Sequence, residues 1–408
     1  MAMTINWARG LTRPILMIPG PTELQYPVIQ ALNAPPSIQY DPSFDDEVLE
    51  PTLLALRQIF QTDGEVFLLP GSGRTALEAG VASIIEPGDS VIVIVAGVFG
   101  LLMKEIMTRA GAEVTEVTVE WGRPLDLGQL RAEAERVRPK AIHLVHNETS
   151  TGTTYPAAAV GQIARSVGAL YLVDTVSALA GIDVRTQEWG IDLNMTGSQK
   201  CLGAPLGLAL VSVSDRAWEA MERRRTKAST YACDLLQWKK TWIPVSRGGR
   251  LTDGAPRSQP VSIPTHLTYA MRAAVDLILD EGLEHRVARH AVAASALRAG
   301  LETLRLELFA DPSVLSSTVT CVRTPSEMDA REVVATMRDR YGILIGTGLD
   351  RFRASTLRIG TMSMTASPMY VLPTLSALEL TLRDLGYKSE AGAAVAAAQS
   401  TFANATLP

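Results

Sequence analysis

Asp174 closes the apolar run Leu170-Tyr171-Leu172-Val173, and Lys200 follows a second short run through Thr196-Gly197-Ser198-Gln199. Strand ends of this kind face the ligand crevice of an open α/β sheet, so the acid and the amine are placed to share a site. Their chemistry is complementary. The amine can condense with an aldehyde, and a carboxylate beside a ring nitrogen keeps that nitrogen protonated by placing an opposite charge next to it. Taken singly, each residue reads as an exposed lysine or a helix-capping aspartate. The flanks of Lys200 argue otherwise, because residues 197–203 are mainly small or apolar.

Three further groups belong with this pair. Gly71-Ser72-Gly73 joins a strand-like run to a helix start, where free N–H groups and the helix dipole favour a phosphate, although a plain strand-to-helix turn has the same composition. Gly97-Val98-Phe99-Gly100 puts an aromatic ring at the next strand end, for stacking on a ring or for the core. Arg358 interrupts the apolar run Thr356-Leu357-Arg358-Ile359-Gly360; its planar fork suits a substrate carboxylate, and the plainer alternative is an edge-strand arginine facing solvent. An amine, a ring-nitrogen acid, a phosphate turn and a carboxylate clamp together describe a site for pyridoxal 5′-phosphate, whose ring takes up the electrons of a broken Cα–H bond. Lys200 would then also move the proton.

The elements that must hold these residues are legible as alternating apolar runs and amphipathic stretches, the pattern of βαβ units and a mainly parallel sheet. Strands are expected at 65–69, 90–96, 113–119, 141–146, 170–174, 193–196 and 207–212, with helices at 75–85 and 99–109. Residues 241–264 read as a long loop, Arg247 to Arg257 included. Helical spacing follows at 268–304, and 317–323, 331–341 and 355–359 suggest a smaller α+β lobe before an Ala-rich tail beyond Tyr387. A chain of 408 residues is expected to form two domains, a large one at 20–265 and a small one from 1–19 plus 266–408.

Composition narrows the partners. A net charge of -5 offers no basic field for nucleic acid or an anionic membrane, so small molecules are expected. No apolar run reaches the roughly 20 residues of a membrane span, and residues 1–13 lack the core of a signal peptide, so the expected location is cytoplasmic. Cys201, Cys233 and Cys321 are an odd set without paired spacing, which argues against disulfides and against a metal site.

Pro19-Gly20-Pro21, Leu69-Pro70-Gly71-Ser72-Gly73, Glu86-Pro87-Gly88-Asp89, Thr149-Ser150-Thr151-Gly152, Val173-Asp174-Thr175-Val176-Ser177, Gly197-Ser198-Gln199-Lys200 and Leu357-Arg358-Ile359-Gly360 occur in the order seen in class V aminotransferases. The chain resembles that family over roughly residues 14–385. The resemblance implies a fold-type I pyridoxal-phosphate transferase, with a large α/β/α domain around a mainly parallel sheet, a smaller α+β domain, and a homodimer whose active sites lie at the subunit interface. It matches Lys200 to the Schiff-base lysine, Asp174 to the pyridinium partner, Ser72 and Gly73 to the phosphate turn, and Gln199 to a phosphate contact. It also matches Thr149 to a hydroxyl near the ring oxygen, Arg358 to the carboxylate clamp, and the Gly20 backbone to the same carboxylate.

Departures from the alanine:glyoxylate pattern are informative. Arg74 stands where that group usually has His, and Phe99 where it has a stacking Trp; Gln259 and Ser262 align with a Tyr and a Thr that reach the partner subunit's phosphate. Ser37-Ile38-Gln39-Tyr40-Asp41-Pro42 resembles the ureidoglycine:glyoxylate branch, in which a Gln here is associated with the ureido group of the substrate. A primary amide matches a ureido group donor for acceptor. The implied activity is transfer of the amino group of (S)-ureidoglycine to glyoxylate or another small 2-oxo acid, by ping-pong half-reactions, in purine (urate/allantoin) catabolism. The alternative is an alanine or serine:glyoxylate aminotransferase. A cysteine desulfurase would need a thiol on a mobile loop, which neither Cys321 nor Cys201 suits, and a non-catalytic binding protein would be expected to lack Lys200.

Overall fold

Seven apolar runs between positions 65 and 213 form one sheet: β1 (Glu65–Gly71), β2 (Ser90–Val95), β3 (Glu113–Thr118), β4 (Ala141–Val145), β5 (Leu170–Asp174), β6 (Leu193–Gly197) and β7 (Gly207–Val213). The computed structural model describes residues 6–247, 249–253, 255 and 257–406. Expected parts at 1–5, 248, 254, 256 and 407–408 lie outside the described residues. The sheet runs in the order β1-β7-β6-β5-β4-β2-β3. All its pairings are parallel except those of β7, which is antiparallel to both β1 and β6.

Apart from the edge strand β3, which carries Glu and Thr and is only partly buried, the strands are largely apolar on both faces because both faces are covered. On β2, Val91, Val93 and Val95 enter one core cluster, whereas Ile92 and Ile94 enter another on the opposite side. The helices α1 (Glu50–Phe60), α2 (Gly73–Ile84) and α3 (Val98–Arg109) flank the site-bearing strands. α2 begins two residues before the expected start, because Ser72 in an extended conformation caps it and donates its N–H to the Thr75 hydroxyl at 3.1 Å.

A second core cluster gathers the C-terminal elements and Met17. The single helical stretch expected at 268–304 is two helices, α4 (Thr265–Glu281) and α5 (Leu283–Thr303), parted at Gly282, whose φ of 80° leaves the helical region. A three-stranded antiparallel sheet, β8 (Val319–Arg323), β9 (Gly346–Thr347) and β10 (Thr356–Gly360), has β10 in the middle. The Ala-rich tail forms a helix, Ala393–Ala403, whose Ala394 and Ala398 are buried in the second cluster. Near the start of the chain, Ile15–Leu16 pairs in parallel with Ile343–Leu344, and the Gly360 N–H donates to Met17 O at 2.7 Å. This stitching leads residues 17–22 across the end of β10 toward Lys200. The expected loop at 241–264 is largely irregular, apart from the end of the helix Leu235–Trp242 and one tight turn at Val245–Arg247.

Candidate active site

Parallel pairing sets Asp174 of β5 opposite Met195 of β6, so β6 runs two residues further before the turn that delivers Lys200. Both groups therefore arrive at the carboxyl edge of the sheet, and both line one cavity of about 270 Å³. Ser72, Gly73, Arg74, Phe99, Thr149 and Gln199 line it too, together with Leu77, Val145, Asn147, Val176 and Ser177.

Burial dominates the electrostatics. It pushes the Asp174 carboxyl up to about 7, against the Val176 N–H that donates to Oδ1 at 2.8 Å, and the charge of Glu148 pushes the same way as burial. Burial, followed by the charge of Arg358, brings the Lys200 amine down to about 8. A lysine so shifted is part neutral near physiological pH, the form needed to attack an aldehyde or to accept a proton.

One end of the cavity is built for an anion. Gly73, in the first turn of α2 where the leading N–H groups have no intrahelical acceptor, lines this end. Beside it the Gln199 amide, whose Oε1 is buried without a partner among the described residues, would offer its N–H₂ to an anion with the amide turned over. A Cβ at Gly197 would lie 2.8 Å from both Gln199 Oε1 and Gly73 N, so the glycine keeps open a polar cradle. Arg74, exposed on the same turn, adds a positive charge. On another side Thr149 Oγ1 donates to Ser177 Oγ at 2.8 Å, and Asn147 Nδ2 donates to the same oxygen at 2.8 Å.

Arg358 and Gly20 close on Lys200 from the other side. Arg358 lies on the central strand β10, so the edge-strand alternative does not hold; its Nε donates to Thr347 O at 2.8 Å and Nη1 to Thr149 O at 3.3 Å. Gly20 has φ of 82°, and a Cβ there would fall 2.3 Å from Lys200 Cδ, while the Lys200 ammonium donates to the carbonyl of Pro19. Only glycine fits both constraints.

Gln39, Gln259 and Ser262 do not line the cavity in the single chain. Gln39 is half-buried in the turn before Asp41 and Ser262 is exposed. Gln259 is buried, with Nε2 donating to Arg257 O at 3.4 Å and Oε1 unpartnered among the described residues. The sequence pattern assigns no role to Asn147 and Glu148, buried polar residues just before the motif at 149–152, or to Ser177, the buried last residue of the motif at 173–177. Cys201 and Cys321 are unsuited to nucleophilic work: both are buried, and burial raises both thiols to about 12.

Residues 55–370 match the family described as aminotransferase class-V. The chain is 34% identical to the (S)-ureidoglycine–glyoxylate transaminase of Bacillus subtilis, over 97% of this chain and 98% of that one. It is also 34% identical to the serine–glyoxylate aminotransferase of Arabidopsis thaliana, over 99% and 98%. The crystal structure of ureidoglycine-glyoxylate aminotransferase from Bacillus subtilis superposes with a TM-score of 0.90 at 34% identity, covering 96% of this chain and 98% of that one. The paired acid and amine and the orphaned amide in an open cradle fit pyridoxal 5′-phosphate. This chain belongs to the class V aminotransferases, enzymes that work with pyridoxal 5′-phosphate.

Proposed function

We propose that this enzyme moves the amino group of (S)-ureidoglycine to glyoxylate or another small 2-oxo acid, in purine (urate/allantoin) catabolism, as a cytoplasmic homodimer with shared active sites. Gln39 carries the choice of donor. It stands half-buried in the turn of residues 37–42, and its amide supplies the paired donor and acceptor that a ureido group requires. An alanine donor would leave that amide unmatched. The identity of 34% with an enzyme named for this substrate supports the same choice. Tyr26, Ile38 and Tyr40 stand exposed on the segment around Gln39, an apolar surface suited to a second subunit.

Bound pyridoxal phosphate supplies an electron-accepting ring. Lys200 holds it and, as an amine poised near 8, takes the proton from the donor's Cα. Asp174 would keep the proton on the nitrogen of the bound ring. Ser72, Gly73, Arg74 and Gln199 would hold the phosphate, joined by Gln259 and Ser262 of the neighbouring chain. Phe99 and Thr149, which line the same cavity, would hold the ring. Arg358 and the Gly20 backbone clamp the carboxylate shared by amino donor and 2-oxo acceptor, so the two substrates use one site in turn, and ping-pong kinetics follow.

Steady-state rates with (S)-ureidoglycine, alanine and serine as competing donors test the assignment. The highest kcat/KM is expected for (S)-ureidoglycine; a preference for alanine or serine would remove it.

A further inference from the structure

Arg257 stands two residues before Gln259 and is 4% exposed. Its guanidinium donates to the carboxylates of Asp45 and Glu50, its Nε to Trp242 O at 3.1 Å, and its backbone N–H to Asp45 Oδ2 at 3.0 Å. The indole of Trp242 lies 5.6 Å from the guanidinium carbon. A charge buried this far persists only where its partners satisfy it. The arrangement thus ties together two segments 212 residues apart in the chain.

The chain makes a special turn to provide both carboxylates. Asp45–Leu49 is a single turn of π-helix, in which the Glu50 N–H donates to Asp45 O. At 3.6 residues per turn, an α-helix would leave positions five apart about 140° out of line. The wider turn brings Asp45 and Glu50 to the same side, where one guanidinium meets both. Turns of this kind concentrate at functional sites. Gln39 lies six residues before Asp45, and the intervening stretch is braced by Asp41, which accepts the Ser43 N–H at 2.9 Å.

We propose that the cluster of Arg257, Asp45 and Glu50 is a positioning device: it locks the loop that carries Gln259 to the segment that carries Gln39, so recognition of the amino donor depends on an arginine that touches no substrate. The inference rests on the reading of Gln39 given above. The 2-oxo acceptor has no ureido tail, so its binding is independent of the cluster.

Holoenzymes carrying Arg257→Lys and, separately, Asp45→Asn are the test. Lysine keeps the charge without the planar fork, and asparagine keeps the shape without the charge, so one variant serves if the other fails to fold. Hydrogen exchange is read by mass spectrometry over residues 37–45 and 257–263, together with KM and kcat for the donor that the wild type uses fastest. Faster exchange is expected in both segments, with donor KM raised roughly five- to tenfold, the scale of one neutral hydrogen bond lost between Gln39 and the ureido group. At saturating pyridoxal phosphate, which offsets any loosening of the loop that carries Gln259, acceptor KM should stay within about twofold of the wild type, since the carboxylate clamp of Arg358 and Gly20 is built elsewhere. Unchanged exchange, or faster exchange with the wild-type donor KM, would overturn the proposal. A wild type inactive with (S)-ureidoglycine would instead sink the donor assignment; the exchange readout does not depend on the donor, and unchanged exchange in both segments would still overturn the clamp.

Discussion

The buried carboxylate of Glu148 accepts the N–H of Phe99 at 3.2 Å. It also accepts the N–H of Gly100 at 3.2 Å and that of Ser150 at 3.1 Å, so one side chain fastens the start of α3 to the loop that carries Thr149. A negative charge at a helix N-terminus is favourable, although burial here raises the carboxyl pKa above its ordinary value. Glu148→Gln turns an N–H₂ toward one of these backbone donors, which costs about 1–3 kcal/mol for a buried group left unmatched. The variant should denature at lower urea and bind pyridoxal phosphate more weakly. Wild-type values for both in urea titration and cofactor equilibrium dialysis would contradict this.

Asp174 adds a falling component to the pH dependence of the cofactor-free protein, opposed by the buried His143 and His290, whose imidazoles burial brings down to about 3. The folded pKa of Asp174, about 7, stands above the ordinary aspartate value, so between roughly pH 4 and 7 the folded state holds a proton that the unfolded chain has released. Stability from this group is therefore present at low pH and falls as pH rises through that window. Asp174→Asn should remove this component, so that the urea midpoint of the variant relative to the wild type rises between about pH 4 and 7, while turnover is abolished. An unaltered pH profile in the variant would show that another group sets the slope.

Arg358 makes its protein contacts through Nε and Nη1, to Thr347 O and Thr149 O, which orient the fork toward Lys200. Lysine at this position keeps the charge and loses the paired hydrogen bonds, a loss of about 1.5–3 kcal/mol. Arg358→Lys should accordingly raise KM for donor and 2-oxo acceptor alike, because both present a carboxylate. A rise confined to one of the two would remove the shared clamp.

Much of this was legible in the sequence, for identifiable reasons. The strands of the main sheet other than the edge strand β3 are largely apolar on both faces, so each appears as a short dense run, and Asp174 and Lys200 stand out at run ends. Arg358 stands out as a charge within such a run. The start of α2 lies two residues before the apolar pattern predicts it, because Ser72, as its cap, has no apolar periodicity to reveal it. Asn147, Glu148 and Ser177 work through hydrogen bonds to partners set by tertiary folding, so their composition resembles that of any polar turn. The link from Arg257 to Asp45 spans 212 residues and depends on a π-turn that no local pattern announces.

The central claim is that Lys200, beside Asp174, holds the cofactor. Reducing the holoenzyme with borohydride fixes pyridoxal phosphate to its lysine, and peptide mass mapping then locates the adduct. The account predicts a single modified peptide containing Lys200, absent from Lys200→Ala along with turnover. An adduct on Lys104, Lys140 or any other lysine, or full turnover in Lys200→Ala, would contradict it.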